Sequence, residues 1–513
     1  MALKDPRAAA QKALAKLDKD RTERLLKIDR YERGEQDLPY TPESADAEYL
    51  QLAERSITNV IKFMVATPGQ MLAVDSFRRG RTSGGSDLAA ARTRVDATKA
   101  VQPEWDHWQK SGMDARQGAV HYGALKFGHS FVLTEKDPKR GVLSKGLSAL
   151  RTIAMYDDAF NDDDPVMAIT VTKWPEGDER GQARMFDDTN EYRVSFKSLP
   201  DTDSVRVGKG RRHGAKRCPI TRFAAAIDLE GRTVGVVEPM LTIQDRINQT
   251  VFDLLIVQSF ASFKVRTISG MAPPIKLKAL DANGNTIPDP TAVPEDTIAE
   301  WVPEIDPSTG RPIPDEVNLN AKRLLFAEDH ETKFGTLDET PLDGFIAAID
   351  LGFRHMAALS QTPPHHILGQ ISNLSAEALN AAETALTRKV SEFKRQFGES
   401  WERVFRVAAE IGDYDGADDF SGEAIWRDME NVSMAQIGDA LGKLAESLGI
   451  PKRGLWPRVP GVTATELAEW NELYGEDNPE VAAAKAGKAA GTSGRPALAV
   501  PDEPATPGKV AAA

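Results

Sequence analysis

The sequence predicts an α+β protein, from helical patterns towards both ends of the chain, strand patterns between them and a proline-rich insert. Apolar residues recur three and four positions apart near both ends, which is typical of amphipathic helices. From Ser130 the period changes to two, in runs rich in β-branched and aromatic residues. The insert, residues 271–341, separates two further helical patterns. With 513 residues, the chain is long enough for roughly two to four packed units.

Composition excludes several classes of protein. At 41% hydrophobic and 27% charged residues, the chain is neither wholly disordered nor a fibrous repeat. Its one cysteine, Cys218, excludes a disulfide framework and a cysteine-based zinc site, and it predicts a reducing compartment. The first residues have no apolar core, and the longest apolar stretch, 251–263, reaches about half the length that a bilayer requires. We therefore expect a soluble intracellular protein without a signal peptide or membrane anchor.

The net charge limits how the protein could bind nucleic acid. Lys and Arg number 64 against 77 Asp and Glu, which gives a formal net charge of -13. Proteins that grip nucleic acid tightly concentrate basic residues on one face, so this balance argues against such a role. It does not exclude a protein past which DNA must slide.

The N-terminal part of the chain is predicted to form helices, and strands are predicted to follow them. An opening helix carries Leu14, Leu17, Leu25 and Ile28 and ends near Gly34. Further helices are predicted over residues 52–64 and 103–125. Strands follow in the segments SFVLTEKD, AITVTKW and ARMFDDTNEYRVSF.

Two helices are predicted to flank the insert. The first is packed on more than one side, covers 238–266 and is ended by Gly270 and the Pro273-Pro274 pair. Inside the insert, Asn283-Gly284 indicates a hairpin turn. The second helix, over 342–360, is rich in small residues that permit close approach of helices, namely Ala347, Ala348, Gly352, Ala357 and Ala358.

A break and a long helix come next. Residues 361–374 (QTPPHHILGQISNL) cannot form a regular helix, because two prolines and a glycine interrupt them. Ser375 is predicted to cap a long helix with Glu377 in its first turn. The apolar residues of that helix step by threes and fours without interruption: Leu379, Ala382, Leu386, Val390, Phe393, Phe397, Trp401, Val404, Ala408 and Ile411. A strand (EAIWRD) and a helix over 434–448 follow, and a disordered tail is expected from Pro479.

The common catalytic motifs are absent from the sequence. It contains no phosphate-binding loop, no H-E-x-x-H, no G-x-S-x-G and no dinucleotide-binding glycine pattern. Two clusters of aspartates could hold a divalent metal, but acidic surface turns are the favoured interpretation, because such sites need ligands from elsewhere in the fold. The clusters are Asp157, Asp158, Asp162, Asp163 and Asp164, and Asp413, Asp415, Asp418 and Asp419. We predict no catalytic site, no metal site and no cofactor.

Two basic features have more than one interpretation. His365-His366 lies beside two prolines, and exposed residues of a functional loop are favoured over metal ligands, which would need partners that the sequence does not identify. The one concentrated positive patch is predicted to be a solvated loop, with contact to DNA or to an acidic neighbouring subunit as the alternative. It comprises Arg206, Lys209, Arg211, Arg212, Lys216 and Arg217.

The order of these segments resembles a known family, the portal proteins of tailed bacteriophages, and most closely its branch in phages of actinobacteria. The resemblance is carried by YERGEQDLPY, AVHYGALKFGHSFVL, DRINQTVFDLLIVQSFASFKVRTISGM and LSQTPPHHILGQISNLSAEALNAAETALTRKV. Downstream, FGESWERVFRVA and IWRDMENVSMAQIGDALGKLAESLGIP fit the same pattern. Together they cover most of residues 29–451, although the insert has more proline than the family pattern leads us to expect.

The resemblance implies a portal fold, with a mixed α/β wing, a two-helix stem, a small proline-rich α/β clip, a tunnel loop, a long spine helix and a helical crown. The implied boundaries are the wing at 1–240, the first stem helix at 241–268, the clip at 269–341, the second stem helix at 342–360, the tunnel loop at 361–374, the spine helix at 375–412, the wing return and crown at 413–478 and the disordered tail at 479–513.

The resemblance also implies a structural function rather than an enzymatic one. Portal proteins form a ring, usually of about twelve subunits, at one capsid vertex. The terminase packages DNA through the channel of this ring, and the DNA is later ejected through it. The clip is where the packaging motor docks first and the adaptor later. The implied partners are other copies of the chain, double-stranded DNA, the terminase large subunit, the head-tail adaptor, the major capsid protein and a scaffold, with no membrane. The implied location is the virion, and the host cytoplasm during assembly.

Three groups of residues are implied as sites. The tunnel-loop or channel group is Thr362, Pro363, Pro364, His365, His366, Gln370, Ser372 and Asn373. The stem-packing group is Asn248, Gln249, Ala347, Ala348 and Gly352. The clip group, for docking of terminase and adaptor, is Asn283, Gly284, Trp301 and Pro303.

Two other functions stay open at this point. One is another virion structural protein, in head closure or associated with the capsid, that has no DNA channel. The other is an enzyme of nucleic-acid metabolism that uses the aspartates of 157–164 with a metal. The order of stem, loop and long helix argues against the first, and the lack of catalytic motifs argues against the second.

Overall fold

The structure, a computed structural model, has both helices and sheets, which confirms the predicted α+β class. It describes residues 3–41, 47–78, 103–262, 266–269, 275–288, 293–313, 333–336, 341–369, 376–427 and 434–459, with further positions at 462, 466–467, 469–470 and 473–474. The chain divides into two compact units. The first comprises Met1–Pro39, Ile57–Asn248 and Asp350–Ala513, and the second comprises Tyr40–Ser56 and Gln249–Ile349.

The first unit begins with a nearly continuous helical segment. Helix α1, Pro6–Asp20, passes through a π-helical turn at Arg21–Leu25 into α2, Leu26–Arg33. Gly34 ends α2 with a φ of +84°, a conformation that glycine adopts without steric cost. The four apolar residues predicted for this helix are at most 1% exposed, so both its buried face and its end are confirmed.

Four more helices precede β2, His129–Asp137, and they correct two predictions. They are α3 (Ala47–Arg55), α4 (Val60–Gln70), α5 (Pro103–Ser111) and α6 (Met113–Phe127). The single helices predicted over 52–64 and 103–125 are therefore wrong, because each is broken. The side chain of Asn59 accepts from the Lys62 N–H and starts α4, whereas Gly112, with a φ of +63°, separates α5 from α6.

The strands of the first unit pair antiparallel. In one sheet β2 (His129–Asp137) lies between β3 (Gly141–Leu147) and β10 (Ile220–Ala224). The larger sheet has the order β4-β5-β6-β7-β8, and β9 also pairs with β7. Its strands are β4 (Thr152–Met155), β5 (Met167–Lys173), β6 (Gly181–Phe186), β7 (Asn190–Phe196), β8 (Arg206–Val207) and β9 (Arg211–Arg212). The three predicted strand segments coincide with β2, β5, β6 and β7 and are confirmed.

The helix predicted over 238–266 forms only in part. A 3₁₀ turn at Glu238–Met240 leads into α7, Leu241–Ser262. Strand β11 then occupies Arg266–Ser269 and pairs with β14, Lys333–Thr336. The predicted helix end at 266 and the implied stem boundary at 268 are therefore wrong. These residues bond to a strand far away in the sequence, which local helical periodicity does not reveal.

The insert contains the predicted hairpin turn within the second unit. Strand β12 (Leu277–Leu280) pairs with β13 (Glu300–Pro303). Beyond β12, the Gly284 N–H donates to the Asp281 carbonyl at 3.0 Å, and Gly284 has a φ of +81°. The Asp281 carboxylate accepts from the Asn283 N–H at 2.8 Å. Asn283-Gly284 therefore forms the turn that the sequence predicts.

The remaining elements follow the predicted order. Helix α8 (Asp343–Ser360) confirms the helix over 342–360, and a short helix, α9 (Pro364–Leu368), precedes the long helix α10 (Ala376–Gly412). Strand β15 (Glu423–Trp426) pairs with β1 (Val74–Arg78), and α11 (Met434–Ser447) and α12 (Lys452–Leu455) come after it. The expected cap Ser375 and the tail from Pro479 lie outside the described residues. No helix among those that the structure describes has the length and apolarity to cross a membrane.

One part of the core of the first unit is built on α10, and a separate cluster lies between α1 and the larger sheet. Trp401 of α10 is fully buried, and its ring centroid lies 4.8 Å from that of Trp108 and 4.6 Å from that of Phe223. The predicted apolar stripe is buried from Leu386 to Ile411. Tilted and edge-to-face aromatic contacts of this kind add to the stability gained from burial alone. The predicted amphipathic helix is thus confirmed over the part whose side chains are described.

One buried histidine is held between α10 and the rest of the core. The Trp401 Nε1–H donates to His121 Nε2 at 2.8 Å, and the other ring nitrogen, Nδ1, lies 3.2 Å from the Leu72 carbonyl oxygen. These partners require Nδ1 to carry the proton and Nε2 to accept, so the ring must be neutral. Burial lowers the pKa of His121 to about 4, and burial likewise lowers the pKa of His107 and of His129 to about 4.

We expect the fold to lose stability as the pH falls from about 6.5 towards 4. In that range these histidines are protonated in the unfolded chain, whereas the three buried imidazoles stay neutral in the fold. Each of them therefore lowers the free energy of unfolding by about 2 kcal/mol at pH 5. Urea unfolding at pH 7, 6 and 5 measures this loss. In His121→Gln, which removes one of these groups, the decline should be shallower than in the wild type. The exposed Leu229 provides the control, since Leu229→Gln removes no titratable group and should keep the wild-type slope. A wild-type slope in His121→Gln would contradict the assignment.

Candidate functional site

The candidate site is the Pro-Pro segment, residues 361–374, together with the helices on either side of it. Helix α8 ends in a Schellman motif. The Thr362 N–H donates to the Ala357 carbonyl at 3.0 Å, and the Gln361 N–H donates to the Ala358 carbonyl at 3.3 Å. Gln361 takes the left-handed position with a φ of +55°, where glycine is more usual. The helix therefore stops at a fixed point, and Pro363 prevents its continuation.

The middle of the Pro-Pro segment is helical, which corrects one prediction. Pro363 precedes the short helix α9 and Pro364 is its first residue, a position where the missing N–H costs nothing. Gly369 ends the helix with a φ of +63°, and its N–H donates to the His365 carbonyl at 3.0 Å. The expectation that prolines exclude regular helix throughout 361–374 is wrong, because proline is tolerated in a first helical turn.

The predicted channel residues differ in exposure. Thr362 is only 3% exposed and Pro363 is also buried, so these two side chains pack within the chain. Pro364 is exposed, whereas His365 and His366 are half-buried. The other three predicted residues, Gln370, Ser372 and Asn373, lie outside the described residues. Which side chains face a channel stays a prediction.

Both histidines contact one carboxylate of α10. His365 Nε2 lies 3.2 Å from Glu383 Oε1, and His366 Nε2 lies 2.9 Å from the same oxygen. The two imidazole rings meet edge to face, with centroids 4.5 Å apart. Glu383 is not predicted from the sequence, because no spacing rule connects it to histidines that lie 17 and 18 residues before it.

A second contact joins the end of α8 to α10. The Lys389 ammonium donates to the Ser360 carbonyl at 2.8 Å. Ser360 is the last residue of α8, where carbonyls lack helical partners and a positive charge is favourable. Burial lowers the pKa of Lys389, which the nearby Glu392 partly offsets. The start of the Pro-Pro segment is thus attached to the long helix at two separate points.

Two predicted stem residues make contacts within the chain. Asn248 is fully buried, donates to Gln36 Oε1 at 2.6 Å and accepts from the Gln244 side chain at 2.8 Å and from the Thr58 N–H at 3.2 Å. In the second unit, Gln249 Oε1 accepts from the Tyr40 N–H at 3.0 Å. Asn248 therefore holds α7 to N-terminal residues of the first unit, and Gln249 contacts an N-terminal residue of the second unit.

The small residues of α8 have two different environments. A side chain at Gly352 would place its Cβ 2.7 Å from Ile247 Cγ1, so glycine is needed for close approach of α8 to α7 within the chain. Ala358, in contrast, is exposed and shares one face of the helix with Leu351, which is 52% exposed, and Leu359, which is 56% exposed. Ala347 and Ala348, in the second unit, are also exposed. No described residue therefore covers this apolar face of α8.

The predicted clip residues lie on a two-stranded ribbon with an apolar face. Trp301 pairs with Ala279 and Pro303 pairs with Leu277, so these four residues share one face of β12 and β13. Trp301 is 49% exposed and Leu277 is 48% exposed. Asn283 and Gly284 are exposed at the neighbouring turn. Ala279 is fully buried, so Leu277, Trp301 and Pro303 supply the exposed apolar area of this face.

Part of the acidic and basic clusters forms ion pairs in the fold. The carboxylate of Asp164 lies 3.2 Å from Arg403 and 3.6 Å from Arg217. Arg217 also pairs with Glu410 at 2.5 Å, and Arg211 pairs with Glu191 at 3.1 Å. The solvated-loop interpretation is therefore wrong for Arg217, whose side chain is 21% exposed, because the fold supplies buried carboxylates that the local sequence does not show.

Comparison with known proteins identifies relatives of one kind. The family model described as "Phage portal protein, SPP1 Gp6-like" matches residues 11–480. The portal protein of Mycobacterium phage D29 is 31% identical over 191 residues, which are 35% of this chain and 39% of that protein. The portal protein of Mycobacterium phage L5 is 33% identical over 159 residues, which are 30% of this chain and 32% of that protein. The aligned part therefore spans less than two fifths of either relative.

Proposed function

The chain belongs to the family of phage portal proteins of the SPP1 Gp6-like kind, and from that premise we propose that it forms the portal ring of a phage capsid. The ring has about twelve subunits at one vertex. Double-stranded DNA is packaged through its channel and later ejected through it. The family match over residues 11–480 is the observation that carries this proposal. We assign the protein no catalytic role.

The exposed face of α8 supports a ring interface. Leu351 and Leu359 are two helical turns apart, and Ala358 lies beside Leu359 on the same face. A ring needs one surface of each subunit to pack against a different surface of the next, repeated until the circle closes. The apolar side chains supply the area to be buried, and the small one lets a neighbouring helix approach closely. We propose that this face packs against the adjacent subunit.

The net charge of the protein supports a channel whose wall does not bind DNA tightly. The net charge of -13 is repeated in every subunit of the ring, so the assembly repels a polyanion overall. A wall lined with lysine and arginine would bind the phosphates instead. We propose that the Pro-Pro segment forms the constriction, because Pro363 prevents continuation of α8 and Gly369 ends the short helix α9, so the chain does not run on as one long helix.

The ribbon of β12 and β13 supports a docking site for other proteins. Its apolar face presents Trp301, a residue type enriched among the residues that dominate binding energy. We propose that the terminase large subunit binds this ribbon during packaging and that the head-tail adaptor binds it afterwards. The capsid protein and a scaffold contact other parts of the ring during assembly in the host cytoplasm. A virion component without a channel is the alternative.

We predict that Leu359→Asp prevents ring closure without unfolding the subunit. The side chain is exposed in the single chain, so the charge costs the fold little, but it would be buried at the interface between subunits. Native mass spectrometry should show monomers and small oligomers in place of rings. Leu229→Asp is the control, since Leu229 is 78% exposed outside the helical face. Rings of unchanged size and yield in Leu359→Asp would mean that α8 does not form the interface.

We predict that Trp301→Asp leaves the ring intact but reduces DNA packaging by about tenfold or more, because one buried tryptophan anchor contributes more than about 1.4 kcal/mol to binding. Packaging is measured as nuclease-protected DNA after infection complemented with each variant. Phe160→Asp, which changes an exposed aromatic residue of the first unit, should package normally. Normal packaging by Trp301→Asp would exclude the ribbon as the docking site of the motor.

A further inference from the structure

We propose that His365, His366 and Glu383 bind a divalent transition-metal ion of the zinc class, with one site in each chain. The two imidazoles come from α9 and the carboxylate comes from α10, so the ion would join two separate helices. Among the described residues, these side chains form a group whose ligand atoms all lie within 4.8 Å of one another. The site lies within the first unit and does not depend on ring formation.

The distances suit metal coordination with little movement. In a tetrahedral site with bonds of 2.0–2.1 Å to nitrogen and oxygen, neighbouring ligand atoms are about 3.3 Å apart. Glu383 Oε1 lies 3.2 Å from His365 Nε2 and 2.9 Å from His366 Nε2. Small rotations of these side chains would therefore place all three ligand atoms around one ion.

The types of ligand select the class of metal. Imidazole nitrogen suits zinc, copper, iron and nickel, whereas magnesium and calcium prefer shells made only of oxygen. Two histidines and one glutamate are a recognised set of three protein ligands for zinc, and the fourth position is then taken by water. Both ring nitrogens converge on the same carboxylate oxygen, which places the three ligand atoms around one point.

The fold holds the ligands in place before an ion binds. The His365 side chain is 9% exposed, and the two rings pack edge to face. Gly369 ends α9 four residues after His365 by a backbone hydrogen bond to that residue. On the other element, Lys389 ties α10 to the last carbonyl of α8, six residues beyond Glu383. The histidines and the glutamate are thus anchored independently of each other, which lowers the cost of forming the site.

Direct metal titration tests the proposal. Tag-free protein is stripped with a chelator and titrated with Co²⁺ alone, whose visible absorption reports tetrahedral coordination, and with Zn²⁺ alone by calorimetry. The wild type should bind one ion per chain, and the affinity should fall at least about tenfold in His366→Ala and in Glu383→Gln. The control is His355→Ala, which removes an exposed histidine outside the group and should bind like the wild type.

Glu383→Gln keeps a hydrogen-bond acceptor at the same place and removes the carboxylate charge. Loss of metal binding in this variant would therefore reflect the missing carboxylate ligand and not unfolding of the chain. Circular dichroism checks that each variant is folded. Absence of binding below about millimolar Co²⁺ and Zn²⁺ in the wild type would overturn the proposal, as would unchanged affinity in both His366→Ala and Glu383→Gln. In either case the three side chains form only a hydrogen-bonded contact. Because binding is measured per chain, failure here leaves the proposed ring unaffected.

Discussion

The first unit depends on the burial of one side of helix α10. Trp401 lies at the centre of this contact, between Trp108, Phe223 and His121, which come from three different elements. Its indole N–H has a partner only if His121 stays neutral and carries its proton on Nδ1. Burial keeps His121 neutral, the hydrogen bond from Trp401 requires that neutral form, and the aromatic packing around it helps to fix where the long helix lies.

The same helix connects the core to the candidate site. At 37 residues it is about 55 Å long, so its two ends lie in different environments. The half towards its C-terminus is packed into the aromatic core, whereas the other half carries Glu383 and Lys389, which contact the Pro-Pro segment and the end of α8. A segment attached in this way to a rigid helix is positioned by the core of its own chain. In a portal this would place the proposed constriction relative to the body of each subunit.

Local patterns in the sequence predicted the elements well but not their breaks or their distant partners. The stripe of α10, the end of α2 at Gly34 and the Asn283-Gly284 turn all follow from periodicity and from glycine chemistry. The strand at Arg266–Ser269 does not, because its partner lies more than sixty residues away. The site was predictable as a segment, since two prolines must interrupt a helix. Its chemistry was not, because the burial of Thr362 and the contact of Glu383 with both histidines depend on how α9 meets α10.

The central claim is that copies of this chain close into a ring around a channel. The most direct test is the mass and symmetry of the purified protein, by native mass spectrometry together with negative-stain imaging. The account predicts closed rings of about twelve chains, each of 56.0 kDa, with a central hole, and neighbouring ring sizes are compatible with closure outside a capsid. A compact closed dimer with no hole would contradict it.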